Sequence, residues 1–481
     1  MSGTVSSGRE TTSEGQSSLA VPAQKTELLK RAAIALSIAN LCFLFVWGAI
    51  LHIATQRTIA YFLQRPPDRG FLWALLLDVI VLGTVTFLLL SLRRSGPWPL
   101  RFSLTALLAL ICLFALYQCE RSFNGMLYGV VSARVILGLR VVIAIVIVLF
   151  IIRSPKRTLP RLRTFFLVVS PLFLVFAAQG LWAYYGPLSR QFQPVHVAGM
   201  LPASAPHTRV IWIIFDELDY RMLFPARPAR VQLPHFDALR DTSIFADHVK
   251  SPAPNTLSAI PSLLLSKDIP GDEDVNLDSR PVQVRFNGCS QFVALNSEPN
   301  VFQRARDLGA NTAVAGWYHP YCRLFGNELS TCASAVGAET GIAILQELLR
   351  DRGFLAKAAY LANWQARVLP LEQRLAWVSP MPSEDAYLRQ VITDKLRRVL
   401  NAQARMLKNP DLDFVFLHIP SPHPPGIWDT QRQTFATDAR LDYIDNLELA
   451  DHILGRIRRL LEQTGDWNRS TILVSSDHPY R

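Results

Sequence analysis

Hydrophobic positions along the chain fall into two patterns that change near residue 190. Before it, apolar stretches are long and unbroken; after it, they are short and end in ionisable residues. Five early stretches, at 32–54, 71–92, 102–119, 135–152 and 164–184, are each about long enough to cross a bilayer core as a helix. Arg140 interrupts the fourth near one end, where a long cationic side chain can snorkel. The later runs have the length and β-favouring composition of strands buried on both faces, as in a parallel sheet under helices. Residues 210–217 read Val-Ile-Trp-Ile-Ile-Phe-Asp-Glu, six apolar positions followed by two carboxylates. Residues 413–425 and 470–479 repeat the arrangement, ending near His418 and His423 and in Asp477-His478.

The pattern gives a coarse map. Residues 1–25 are Ser-, Thr- and Gly-rich and predict a disordered cytoplasmic tail. Residues 26–185 predict transmembrane helices, 186–207 a proline-bearing linker, and 208–481 an α/β domain. Within that domain a short helix is expected after Leu233, an alternating strand at 244–249, a helix at 301–308 and a strand at 312–318. A surface insertion is expected at 271–300, mostly helix at 340–408 and a long amphipathic helix at 441–463.

Charge orients the first part. Arg9, Lys25, Lys30 and Arg31 precede the first stretch, and Arg93, Arg94 and Arg101 lie between the second and third. Arg153, Lys156, Arg157, Arg161 and Arg163 lie between the fourth and fifth, while the intervening loops are leaner. The positive-inside rule then places the N-terminus in the cytoplasm. Five spans put everything after Tyr185 outside; the competing reading is four spans with an internal domain. The net charge of +11, from 49 Lys and Arg against 38 Asp and Glu, is spent largely on these flanks. No aromatic-interleaved basic stripe is present, which argues against a nucleic-acid partner. Half of the 481 residues are hydrophobic and mean hydropathy is +0.20, which fits a membrane part joined to a soluble part. Of six cysteines, Cys42 and Cys112 fall inside apolar stretches and Cys119 at the end of one. Cys289, Cys322 and Cys332 fall in the later part, where Cys322 and Cys332 are the nearer pair for a bridge.

The chemistry-bearing positions sit at strand ends, where open α/β sheets bind ligands. Asp216 and Glu217 offer hard oxygen donors for a divalent cation, or cap a following helix. Asp477-His478 supplies one oxygen and one nitrogen ligand, a usual mix for zinc or manganese. In the segment from Ser251 to Leu264 a proline-bound turn delivers Asn255-Thr256 to the start of an apolar helix. A hydroxyl there meets free N–H groups and the positive end of the helix dipole, suited to an anionic ester; the plainer reading is an N-cap. His418 or His423 lies beside Asp216 if the strands are parallel neighbours. His319, at the end of the 312–318 strand, reads as a structural histidine.

The IIFDE strand end, the PNTLSAIPSLL turn-helix, the FLHIPSPHPP strand end and the SSDH strand end together resemble the alkaline phosphatase superfamily in its sulfatase-like branch. The resemblance covers roughly residues 208–481. With the spans before it, the chain is also similar to membrane phosphoethanolamine transferases and lipoteichoic acid synthases. It implies an alkaline-phosphatase-like α/β sandwich on the outer side of a plasma (inner) membrane, periplasmic or extracellular. It also implies a divalent metal (Zn, Mn or Ca) and a phosphorylated or sulfated lipid or glycan substrate. Asp216 matches the first-strand metal ligand with Glu217 a companion, Thr256 the nucleophile and a ligand, and Asp477 and His478 the late metal pair. His423 matches the histidine that contacts substrate or a second metal, ahead of His418.

Two departures qualify the resemblance. Sulfatases modify a Cys or Ser within a C/S-x-P-S-R pattern, whereas this chain reads N-T-L-S-A-I-P, which favours phosphoryl chemistry through threonine. Family members also usually continue past the Asp-His pair to another metal histidine, so a fragment, or a shortened enzyme with one complete metal site at most, is expected. The expected activity is therefore metal-dependent hydrolysis or transfer of a phosphoester or phospho-substituent. The alternatives are a sulfuric ester hydrolase and a catalytically inactive membrane-bound binding protein on the same fold.

Overall fold

The computed structural model describes residues 17–55, 58, 61–63, 66–92, 96–127, 142, 155–186, 195–202, 208–336, 350–366, 384–438 and 440–480. They form two compact units. One comprises Met1–His52, Asp68–Gly186 and Asp351–Ala376; the other comprises Ile53–Pro67, Pro187–Arg350 and Trp377–Arg481.

The first unit is helical. Among the described residues three helices are long and apolar enough to cross a membrane, within Arg69–Leu92, Trp98–Cys119 and Pro160–Tyr185. Gln24–Cys42 and Leu44–His52, bent by 60° at their junction, make a fourth if the pair is one span. Four of the five expected stretches are thus helical, and the one at 135–152, save for residue 142, lies outside the described residues. Large apolar side chains such as Ile80, Leu88, Phe102, Leu110 and Trp182 face outward from these helices. In water such a surface would be a liability; in lipid tails it is solvated.

The second unit is built on a five-stranded parallel sheet. The strands in chain order are β1 (Arg209–Phe215), β2 (Val275–Asn276), β3 (Gln283–Val284), β4 (Val293–Ala294), β5 (Thr312–Tyr318), β6 (Thr331–Val336), β7 (Phe414–Ile419), β8 (Trp428–Asp429), β9 (Thr434–Phe435) and β10 (Ser470–Ser476). The main sheet runs β10-β1-β7-β5-β6; β2-β3-β4 and β8-β9 form small antiparallel sheets. Alternation along β1 decides what lies on each face. Ile211, Ile213 and Phe215 join a core with Leu447, Ala450, Ile453 and Leu454 of helix Tyr443–Gln463 and with Leu396 and Met406 of helix Glu384–Leu407. Ile214, with Val314 and Phe416, joins a second core with Ile260 and Leu264 of helix Thr256–Leu265. Both faces being covered explains why these strands read as continuous apolar runs rather than alternating ones.

Arg209 fastens the start of β1. Its guanidinium is buried, pairs with Asp466 at 3.1 Å and donates to the carbonyls of Met406 and Leu407 at the end of helix Glu384–Leu407. The negative end of that helix dipole and one carboxylate together offset the loss of water around the cation.

Two local expectations change. The alternating segment 244–249 forms no strand; Ile244 is fully exposed, and Phe245 instead packs on Tyr220 and Phe224. Among the described residues no strand pairs with it to supply its hydrogen bonds, so period-two alternation has nothing to act on. The 470–479 run, expected as a fully buried strand, is β10 at the sheet edge, pairing with β1 and leaving Leu473 exposed. Cys322 and Cys332 form the expected bridge and Cys289 is free and exposed.

Candidate active site

Parallel register brings the chemistry to one edge. Phe215 pairs with Ile419 on one side and Ser476 on the other, so the next residues, Asp216 and Asp477, leave the sheet side by side. Chain reversal is sharp there: Glu217 has φ 62°, left-handed backbone that a non-glycine residue adopts at a cost. Its N–H donates to Asp477 Oδ1 at 3.1 Å and its carbonyl accepts from Tyr443 at 2.7 Å, which hold the turn.

Thr256 enters from the opposite side as the first residue of helix Thr256–Leu265. Asn255 caps that helix, its side chain accepting from Ser258 N and from Ser258 Oγ. The cap function thus belongs to Asn255, leaving the Thr256 hydroxyl for the sheet edge. Thr256 Oγ1 lies 2.9 Å from Asp477 Oδ2, 3.3 Å from Asp216 Oδ1 and 3.1 Å from His478 Nε2. One hydroxyl proton cannot serve both carboxylates, so the oxygen is crowded by more acceptors than it can satisfy. Asp216, Thr256, Asp477 and His478 are all buried.

Burial first, then the Asp477 and Glu217 carboxylates, raise Asp216 well above the ordinary carboxylate range; hydrogen bonds from Trp317 and Thr256 pull it back. Donor atoms of Asp216, Asp477 and His478 lie within 4.8 Å of one another. Glu217 Oε2 is buried and has no hydrogen-bond partner among the described residues. Clustered carboxylates, a convergent imidazole and an orphaned oxygen fit a divalent cation, which would remove the mutual repulsion and use the spare lone pairs.

The two histidines of the 413–425 run take different places. His418, on β7, is fully buried, with Nε2 3.9 Å from Asp216 Oδ2 and Nδ1 2.7 Å from Tyr321 OH. Burial, with lesser repulsion from His319, holds it well below the ordinary imidazole range and hence neutral; Tyr321 keeps its proton. Gly316 makes room for this pair, since a Cβ there would sit 2.7 Å from the Tyr321 ring and 3.0 Å from His418 Cβ. His423 is half-exposed at the rim, its Nε2 4.0 Å from Glu217 Oε1, its Nδ1 2.5 Å from the Pro424 carbonyl and its ring against Trp317.

Three contributors were not legible as such. Trp317, read only as part of a strand, donates to Asp216 at 2.6 Å. His319 does read as structural, yet its Nε2 lies 2.9 Å from the Thr256 carbonyl and burial lowers it to about 4. Tyr61, from between two apolar stretches, lies 2.6 Å from His319 Nδ1. The one available signal was that Trp317 and His319 close the same strand edge as Asp216.

The Sulfatase family model matches residues 210–481. No curated protein matches the chain. Among solved structures, the chain is similar to the phosphonate monoester hydrolase SpPMH from Silicibacter pomeroyi, at 16% identity and TM-score 0.34, over 57% of this chain and 63% of that one. It is similar to the lipoteichoic acid synthase LtaP from Listeria monocytogenes, at 11% identity and TM-score 0.32, over 57% of each chain. It is also similar to the integral membrane lipooligosaccharide phosphoethanolamine transferase A (EptA) from Neisseria meningitidis, at 14% identity and TM-score 0.31, over 85% of this chain and 62% of that one. The chain spans about three fifths of the length of these structures. Its matched residues, 210–481, make up more than half of the sequence and hold every strand-end carboxylate and histidine described above: the chain belongs to the sulfatase family.

Proposed function

We propose that the chain is a membrane-anchored, metal-dependent enzyme that hydrolyses or transfers a phosphoester through Thr256, outside the cytoplasm. The observation that carries the reading is the Thr256 hydroxyl at a helix start, within hydrogen-bond reach of Asp477 and His478 and beside Asp216. Asp216, Asp477 and His478, with Glu217 as companion, would hold a divalent ion; the imidazole nitrogen favours zinc or manganese over calcium. Such an ion supplies Lewis-acid stabilisation of charge on the ester and on the attacking oxygen.

The chain's own residues then do the following. Thr256 Oγ1 passes its proton to Asp477 Oδ2, 2.9 Å away, and attacks phosphorus; the ester bond opposite breaks. The positive end of helix Thr256–Leu265 stabilises charge on the equatorial oxygens. With Nδ1–H donated to the Pro424 carbonyl, His423 would protonate the departing oxygen from Nε2 when the ring carries both protons, and regain that proton from the hydroxyl that resolves the phospho-threonine. Water, or a lipid or sugar hydroxyl, resolves the phospho-threonine. Position 256 holds neither Cys nor Ser, which supports phosphate over sulfate esters. A disulfide in the same unit supports an oxidising compartment, as does the loop-charge asymmetry.

The test is turnover by the detergent-solubilised full chain of bis(p-nitrophenyl) phosphate and of p-nitrophenyl sulfate, with added Mn or Zn and with chelator. Metal-dependent release from the phosphate ester supports the reading. Release from the sulfate alone, or release indifferent to chelator, overturns it.

A further inference from the structure

We propose that Tyr61, well outside the family-matched residues, is a positioning residue for Thr256 and acts through His319; the proposal rests on reading Thr256 as the attacking group. Tyr61 is buried, and its hydroxyl lies 2.6 Å from His319 Nδ1. The other ring nitrogen, Nε2, lies 2.9 Å from the Thr256 carbonyl oxygen. One proton arrangement satisfies both contacts. A carbonyl only accepts, so Nε2 carries the hydrogen; a neutral ring then leaves Nδ1 a lone pair, and the tyrosine O–H donates to it. Tyr61 thereby fixes the tautomer of His319, and His319 fixes the backbone from which Oγ1 projects.

The segment around Tyr61 is secured on the second unit. Thr58 donates to Asp278 at 2.9 Å, and Arg323 donates to the Tyr61 carbonyl. Phe62 meets Tyr318 edge-on at 5.3 Å, and Tyr61 belongs to the same apolar cluster as Ile260 and Leu264 of the Thr256 helix. Tyr318, between Trp317 and His319, has φ 69°, a left-handed turn that sends the Trp317 donor to Asp216 and His319 to Thr256. Buried rings and hydrogen bonds set the geometry of the Thr256 backbone, where displacements near 1 Å can cost about a hundredfold in rate.

The experiment is a double-mutant cycle on the metal-loaded full chain in detergent, with bis(p-nitrophenyl) phosphate as probe. Tyr61→Phe keeps the ring and removes the hydroxyl. His319→Gln keeps an N–H for the Thr256 carbonyl and removes the ring nitrogen that accepts from Tyr61. Tyr61→Phe is expected to lower kcat about tenfold with KM within about twofold. In the His319→Gln background it is expected to add nothing, since the pair acts as one unit. In protein carrying 15N-histidine, Tyr61→Phe is also expected to shift the Nδ1 signal of a single buried ring. A wild-type kcat for Tyr61→Phe beside an inactive Thr256→Ala overturns the positioning role alone, as do losses that simply multiply in the double variant. Full turnover by Thr256→Ala overturns the reading of Thr256, and the positioning role with it.

Discussion

Trp317 donates its indole N–H to Oδ2 of Asp216 at 2.6 Å, and both side chains are buried. The other carboxylate oxygen, Oδ1, faces Thr256 Oγ1 at 3.3 Å and His478 Nε2 at 3.8 Å. The indole thus holds one oxygen still while the other points at the Thr256 hydroxyl, and it favours the ionised form against burial and two neighbouring acids. Trp317→Phe keeps most of the ring volume and removes this donor. Leaving a buried carboxylate oxygen unpaired costs about 1–3 kcal/mol, or roughly 5- to 150-fold in Mn or Zn affinity by titration calorimetry. Affinity equal to wild type would show that the indole does not tune Asp216.

Removing the metal tests the donor set. Asp216, Glu217 and Asp477 repel one another without a cation, so the loaded protein should unfold at higher temperature than the chelated one. At an ion concentration a hundred times Kd the gain is about 2.7 kcal/mol. Substituting Asp477→Asn or His478→Ala should abolish most of that difference. A melting curve indifferent to Mn, Zn and chelator would contradict the assignment.

Asp451 gives a pH-dependent signature away from the site. Its side chain is buried and accepts from His235 N at 2.9 Å and Phe236 N at 2.8 Å at the start of helix Pro234–Thr242. Burial raises it to about 6, against roughly 3.9 in an unfolded chain. A raised carboxyl is protonated more readily in the folded state, so its penalty is present above pH 6 and fades as pH falls from 6 towards 4. Asp451→Asn keeps an acceptor for both N–H groups without the charge. It should be more stable than wild type at about pH 8, by up to about 3 kcal/mol, with the difference falling below about 1 kcal/mol by pH 4.5. A lower melting temperature at pH 8 would contradict this.

Membrane sidedness can be read from one thiol. Cys289 is exposed and free, whereas Cys322 and Cys332 are bridged. With Cys42, Cys112 and Cys119 replaced by alanine, a membrane-impermeant maleimide should label Cys289 on intact cells, after outer-membrane permeabilisation where there is one. Labelling only after lysis of the plasma membrane would place the second unit in the cytosol.

What the sequence disclosed follows from what each signal depends on. Val210 to Phe215 reads as a strand because both faces are buried, and Asp216, Thr256, Asp477 and His478 converge because parallel strands and one helix start share an edge. Those are consequences of local composition and topology. Trp317 was invisible because an indole inside an apolar strand reads as core, and its polar edge shows only once Asp216 lies opposite. Tyr61 was invisible because it is 195 positions from Thr256 and an aromatic ring among Ile59, Ala60, Phe62 and Leu63 reads as packing. The half-exposed character of β10 depends on its place in the strand order, which periodicity does not encode.

The central claim is that Thr256 is the attacking group, and the most direct measurement is turnover of bis(p-nitrophenyl) phosphate by Thr256→Ala with metal content measured on the same sample. The account predicts a loss of at least about a thousandfold, with a melting temperature near wild type and metal still bound through Asp216, Asp477 and His478. Turnover close to wild type in that folded, metal-bearing variant would contradict it.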